Sequence, residues 1–123
     1  MSWNLNNDKP IYAQIVERIQ RQIISGFYKA GDKLPSVRDF AADAGVNPNT
    51  MQKAFVELER SGLIVTVRTS GRTVTEDEGL ILAVKTEIAK EQVQDFLLKM
   101  KEFGFSSKEI LDLLNALLKE ERE

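Results

Sequence analysis

Within four residues, Gly45-Val46-Asn47-Pro48, this chain ends one helix and begins another. Glycine adopts the left-handed backbone that closes a helix at no steric cost. Asparagine caps the helix that follows. Proline suits its first position, where the missing N–H would have had no intrahelical partner. The helix before this turn is short: Ser36 with Asp39 reads as a capping-box variant, and Val37, Phe40, Ala41 and Ala44 face inward. The helix after it carries Met51, Ala54, Phe55 and Leu58 on its apolar side and stops at Ser61-Gly62. Val46 plugs the space between them. Two helices joined by so short a Gly-containing turn form a helix-turn-helix.

The flanking sequence extends this unit. Asp8-Lys9-Pro10 reads as a helix start, with Asp8 as the cap. Ile11, Ile15, Ile19 and Ile23 then recur every four residues, widened by Tyr12 and Val16. Ser25-Gly26 ends that helix, and residues 27–35 read as a loop. Downstream of Gly62, the β-branched runs Leu63–Arg68 and Arg72–Thr75 flank Thr69-Ser70-Gly71, the pattern of a hairpin. A hairpin directly after a helix-turn-helix is a wing. The expected fold is therefore mainly α with a small β-hairpin wing: a winged helix-turn-helix over residues 1–75, a joint at 76–79, and a two-helix dimerisation segment over 80–123.

That last segment rests on its own pattern. Leu82, Ala89, Val93, Phe96, Met100 and Phe103 recur at nearly coiled-coil spacing, Gly104 reads as a helix end, and Ser106 with Glu109 forms a capping box for a final leucine-rich helix. Two such helices cannot bury that much apolar surface alone. The segment must therefore dock on the first domain or on another subunit; a homodimer is the expectation, with Ala89, Val93, Phe96, Met100, Phe103, Leu114 and Leu117 as its interface.

Composition removes many chemistries. With neither Cys nor His among 123 residues, the chain has no disulfide, no thiolate or imidazole metal ligand, no Cys nucleophile and no Ser-His-Asp triad. The spacing of Gly26 and Gly31 mimics a phosphate loop, but Asp32 stands where that motif requires Lys. Glu57, Glu59, Glu76, Asp77 and Glu78 read as a solvated helix face and a linker rather than an acid–base pair or a metal site. No cofactor, no metal and no enzymatic activity are expected. The longest apolar run, Leu80–Val84, is far too short for a bilayer, and the first ten residues lack a leader's apolar stretch. A cytoplasmic protein away from membranes is the expectation. Net charge is −2 overall but uneven: residues 1–75 hold 10 Lys+Arg against 7 Asp+Glu, and residues 76–123 hold 7 against 12. The half with the helix-turn-helix is the basic half, which suits a nucleic-acid partner.

The side chains left outside the core of the third helix are Asn47, Asn49, Thr50, Gln52, Lys53, Val56 and Glu57. Asn and Gln pair bidentately with adenine edges, Thr reaches a thymine methyl or a phosphate, and Lys reaches guanine or phosphate. They gather at the N-terminal end, the end a recognition helix inserts first and the end whose free N–H groups favour phosphate. Arg38 lies in the first turn of the second helix, against the positive end of the helix dipole. A phosphate or base would compensate that placement; an ion pair with Asp39 or Asp43 would too. In the wing, Arg68, Ser70, Gly71 and Arg72 are candidates for backbone or minor-groove contact. Trp3 and Tyr12 read as packing of the N-terminal arm.

Four motifs in order, Pro10-Ile11-Tyr12, Gly31–Arg38, Val46–Thr50 and Leu58–Ile64, resemble those of GntR-family bacterial transcription regulators. The Asn47-Pro48-Asn49-Thr50 run and the short tail resemble the YtrA-type subfamily. The resemblance is specific over residues 8–75 and weaker over 80–118. It implies a DNA-binding winged helix-turn-helix followed by a small helical dimerisation domain. By position it implies DNA contact for Arg38, for Asn47, Asn49, Thr50, Gln52 and Lys53 on a recognition helix over 47–60, and for Ser70, Gly71 and Arg72 on a wing over 64–75. The family wing usually reads Gly-x-Gly-Thr-aromatic-Val. Here those places hold Thr69, Ser70, Gly71, Arg72, Thr73 and Val74, so the first Gly and the aromatic are replaced and Arg72 adds a cation near the DNA.

The expectation is thus a sequence-specific, dimeric regulator, a repressor of transporter or envelope-stress genes by analogy with the subfamily, binding double-stranded operator DNA of inverted-repeat form. A small-molecule effector, where one exists, would sit at the dimer interface or between domains, because the tail is too small to wrap a pocket. The alternative is a winged-helix protein-interaction module without specific DNA binding.

Overall fold

The computed structural model describes residues 3–68 and 71–122. Along the chain run α1 (Ile11–Ile24), α2 (Val37–Ala44), α3 (Pro48–Ser61), β1 (Ile64–Val67), β2 (Gly71–Val74), α4 (Glu78–Glu102) and α5 (Ser107–Arg122). The chain divides into two compact units, Met1–Lys85 and Thr86–Glu123, so the division falls inside α4 rather than at the joint read from sequence.

The first unit is a three-helix core closed by the hairpin. Ile15, Ile19 and Ile23 of α1, Phe40 and Ala41 of α2, and Met51, Ala54, Phe55 and Leu58 of α3 are buried together with Leu63, Ile64 and Val74. Each large aliphatic or aromatic side chain so buried contributes about 1.5–3 kcal/mol. Val46 packs against this core from the turn, partly buried. The helix ends follow the sequence closely. Ser36 accepts the Asp39 N–H at 3.0 Å, Asn47 accepts the Asn49 N–H at 2.8 Å, and Gly45 and Gly62 take φ of 70° and 86°. A side chain at Gly62 would also meet Leu80, whose Cδ2 lies 3.0 Å from the place of a Cβ.

Three local expectations need correction. Asp8 does not cap α1: the N-cap position is Pro10, with no side-chain cap, and the Asp8 N–H is instead bound by Asn6 Oδ1. The cap is replaced by the arm before it, which Gln14 holds with bonds to Asn6 and Lys9. Helix α4 starts two residues early, because Asp77 caps it by accepting the Leu80 N–H at 3.0 Å. The segment 27–35 is more than a loop. Lys33 bridges Thr73, Leu34 N–H donates to Arg72 O, and Val74 N–H donates to Asp32 O. This short stretch pairs with β2 on the edge opposite β1 and ties the start of α2 to the wing.

The hairpin is antiparallel with Ile64 opposite Val74 and Val67 opposite Gly71. Thr75, buried, accepts the Asp77 N–H and turns the chain toward α4. Ile81 and Val84 at the start of α4 pack on the first unit's core.

In the second unit, Gly104 N–H and Phe105 N–H close the end of α4 on Lys101 O and Met100 O. Ser106 and Glu109 then form the reciprocal capping box: each backbone N–H donates to the other's side chain, at 2.9 and 3.1 Å. These bonds from Ser106 hold the Glu109 carboxyl below the usual carboxylate range. Ile110 is buried, but Val93, Phe96, Phe103, Leu113, Leu114 and Leu117 are exposed.

Candidate nucleic-acid interface

Helix α3 has two faces because its sequence has two periodicities. The core face is buried as above, while Asn47, Asn49, Gln52 and Lys53 are exposed and Thr50 is half-buried. The polar set lies in the first two turns, where side chains can project from the helix end into a groove.

The expectation of free N–H groups at this end is not met. Pro48 has none, the Asn49 N–H is taken by Asn47 Oδ1, and the Thr50 N–H by Asn47 O. Anion binding by bare backbone is therefore blocked at the tip of α3. Base and phosphate contact falls to the side chains. Asn47 is engaged through its oxygen as the cap, which leaves its amide NH2 to donate.

Lys53 is held from behind: its Nζ sits 3.9 Å from the Tyr12 ring centroid on α1. A cation over an aromatic face is restrained in rotamer yet keeps its donors. Tyr12 thus enters the site as the support of a site residue, a role the sequence pattern did not reveal.

Arg38 is exposed at the second position of α2. The ion pair that would have explained it is absent. The ion pairs of the described residues do not include Arg38, and Asp43 instead accepts a hydrogen bond from the Trp3 indole. The cation opposes the helix dipole, and although Asp39 stands in the same turn, no ion pair among the described residues engages Arg38.

The wing departs most from the sequence reading. Arg72 does not project from a wing tip. Its Nε pairs with Glu59 of α3, its guanidinium lies 5.2 Å from the Phe55 ring, and both charged side chains are about two-thirds or more covered, at 25% and 33% exposure. Arg72 is a strut between β2 and the recognition helix. Glu59, read from sequence as part of a solvated face, is its partner. The 13-residue separation and the intervening strand leave no periodic signal for such a pair. Gly71 is exposed, with φ of 79° and open space where a side chain would project, so its backbone is approachable. Arg68, three residues before it, is exposed, and Ser70 lies outside the described residues. A concavity of about 310 Å³ is lined by Lys33, Pro35, Ser36, Val37, Gly71 and Arg72, so the start of α2 and the start of β2 border one depression.

Among the described residues no group of three or more acidic side chains is placed to hold a metal, and no helix is long and apolar enough to cross a membrane.

Comparison with known proteins agrees with this geometry. The family model for bacterial regulatory proteins, gntR family, matches residues 11–74. The HTH-type transcriptional repressor YtrA of Bacillus subtilis (strain 168) is 41% identical over 90 residues, covering 72% of this chain and 69% of that protein. A GntR family transcriptional regulator from Listeria monocytogenes, of known structure, superposes with a TM-score of 0.85 at 40% identity, covering 91% of this chain and 98% of that one. The DNA-binding domain of AraR, solved in complex with operator ORX1, superposes with a TM-score of 0.54 at 28% identity, covering 58% of this chain and 92% of that one.

Proposed function

The chain belongs to the GntR family of bacterial regulatory proteins and is a DNA-binding transcription regulator of YtrA type, and from that premise we propose that it acts as a homodimer that represses transcription by occupying an inverted-repeat operator. The observation that carries the DNA-reading assignment is Arg38, an exposed cation in the first turn of α2 with no ion-pair partner among the described residues. In this reading Asn49, Thr50 and Gln52 read base edges in the major groove, with the Asn47 amide as a further donor. Arg38 reads a base or clamps the flanking phosphate. Lys53 neutralises phosphate, Gly71 lets the wing backbone approach the duplex, and Arg72 holds the wing to α3. The exposed apolar side chains of the second unit, Val93, Phe96, Phe103, Leu114 and Leu117, support a second copy as their cover. Two recognition helices carried by a two-fold dimer would read half-sites about one helical turn, or a multiple of it, apart.

The test is fluorescence anisotropy on the DNA upstream of the protein's own gene, beside scrambled DNA, at two salt concentrations. With Arg38 reading a base, Arg38→Ala is expected to weaken operator binding by about 1–3 kcal/mol, roughly 5- to 150-fold, with little change on scrambled DNA; a similar loss on both DNAs assigns it to phosphate. Binding that is equal on both DNAs and indifferent to Arg38 and to salt would instead favour a protein-binding winged helix.

Lys53→Ala is expected to act differently. A phosphate contact carries no sequence information, so affinity should fall to a similar degree on all sequences. The slope of log affinity against log salt should become shallower by about one. A changed base preference in a randomised operator selection would show that Lys53 reads a base.

A further inference from the structure

We propose that the N-terminal arm belongs to the DNA-reading machinery: Trp3 is a positioning residue that sets the pose of α2, and through it the pose of the Arg38 side chain. The inference rests on the reading of Arg38 as a DNA contact.

Helix α2 has only eight residues. A helix of two turns has no stability of its own and takes its pose from what holds it. One charge at each end works against it, with Asp39 the favourable one in the first turn. Arg38 stands in the first turn, and Asp43 stands next to the last residue with no basic residue in that turn. Arg38 faces solvent, and Asp43 has a partner from far along the chain: the Trp3 indole N–H donates to its Oδ2 at 2.8 Å, across 40 residues of sequence. Phe40, one turn before Asp43 and on the same face, meets the Trp3 ring edge-on at 5.8 Å. Trp3 therefore grips α2 at two points one turn apart, one apolar and one polar. A two-point grip restrains both rotation about the helix axis and sliding along it. Arg38 precedes Phe40 by two residues, about 200° around the helix, so a grip on the Phe40 face fixes where the opposite side points.

The arm that delivers Trp3 is itself anchored. Gln14 of α1 donates to the carbonyls of Asn6 and Lys9, at 2.7 and 2.9 Å, and accepts the Asn6 N–H at 2.9 Å. Trp3 is only 8% exposed, and the Arg18 guanidinium lies 4.8 Å from its ring centroid. Through Phe40 the indole joins the aromatic cluster of Tyr28 and Phe55, which reaches the centre of α3. Burial and the neighbouring Asp43 carboxylate push the Tyr28 phenol upward, opposed by Arg18, which places these charges around one corner.

The test uses the full chain with Trp3→Phe, which keeps a ring against Phe40 and removes the indole N–H, and Asp43→Asn, which keeps an acceptor for it. Trp3→Phe is expected to lower operator affinity about 3- to 10-fold, with scrambled-DNA affinity and helical content retained. Asp43→Asn is expected to lower it less. In the Arg38→Ala background, Trp3→Phe should cost nothing further, because the group being positioned is gone. An equal loss in both backgrounds would mean that Trp3 acts through general stability, and no loss in the parent would mean that the arm is idle; either overturns the proposal. Arg38→Ala alone separates the two readings: without an effect of its own, the Arg38 assignment falls, and this one with it. The single tryptophan of the chain supplies a second readout. Asp43→Ala should shift its emission to the red and open it to a soluble quencher, in step with the loss of operator affinity. Unchanged emission with undiminished binding would overturn the proposal as well.

Discussion

Phe96→Glu is expected to convert the protein to a monomer and to lower operator affinity by about 10²- to 10⁴-fold, with the winged unit still folded. The side chain is 37% exposed in the single chain. No residue of α4 is fully buried, and α5 leaves Leu111, Leu113, Leu114, Leu117 and Leu118 exposed. So much apolar surface in one short segment marks an interaction site. A glutamate within an apolar interface would lose its hydration, so the dimer rather than the fold should give way. The large effect on DNA follows from linkage. Once one winged unit binds its half-site, the second binds as if at high local concentration, and this advantage vanishes in a monomer. Sedimentation at micromolar concentration checks the first half, and anisotropy on paired and single half-sites checks the second. A monomeric parent protein with full operator affinity would remove the dimer from the mechanism.

Phe55→Ala is expected to cost about 3–5 kcal/mol of stability, the range for emptying a fully buried aromatic site. Phe55 has no exposed surface. Its ring lies 5.6 Å from that of Phe40, under the Arg72 guanidinium, at the crossing of α2, α3 and the wing. The loss therefore combines transferred apolar area, a cavity and a weakened wing strut. Against a typical total of 5–15 kcal/mol it should be read as a large fall in the denaturation midpoint. Val56→Ala, at a side chain 44% exposed on the neighbouring face, provides the control and should stay within about 0.5 kcal/mol. A midpoint for Phe55→Ala equal to that control would contradict the core described here.

Much of this was legible before any tertiary structure. The ends of α2 and α3 were legible because capping is local: Ser36, Gly45, Asn47 and Gly62 each act on backbone groups within a few residues. The core faces of α1 and α3 followed from periodicity, since an isoleucine every fourth residue can meet only one side. The split of α3 into a buried face and a polar N-terminal face needed no further information.

What sequence could not show is where separated side chains meet. Arg72 was placed at the wing tip and in fact pairs with Glu59, because nothing local distinguishes an arginine that reaches outward from one that folds back on a helix. Asp8 had the right chemistry for a cap but stands two residues before the N-cap position, Pro10, and the arm it belongs to is held by Gln14 instead. The pairing of residues 31–34 with β2 was invisible because a single bridge leaves no alternating pattern.

By itself, then, the sequence determined the order of elements, the ends of α2 and α3 and the core faces of the first three helices, because caps and periodicities act over one or two turns of chain. Only the tertiary structure decided which charges are free and which are committed. It paired Asp43 with Trp3 and Arg72 with Glu59, left Arg38 open and seated Lys53 on Tyr12. Those pairings join residues far apart in sequence, and their energies depend on distances of a few ångströms that no local rule of chain geometry specifies.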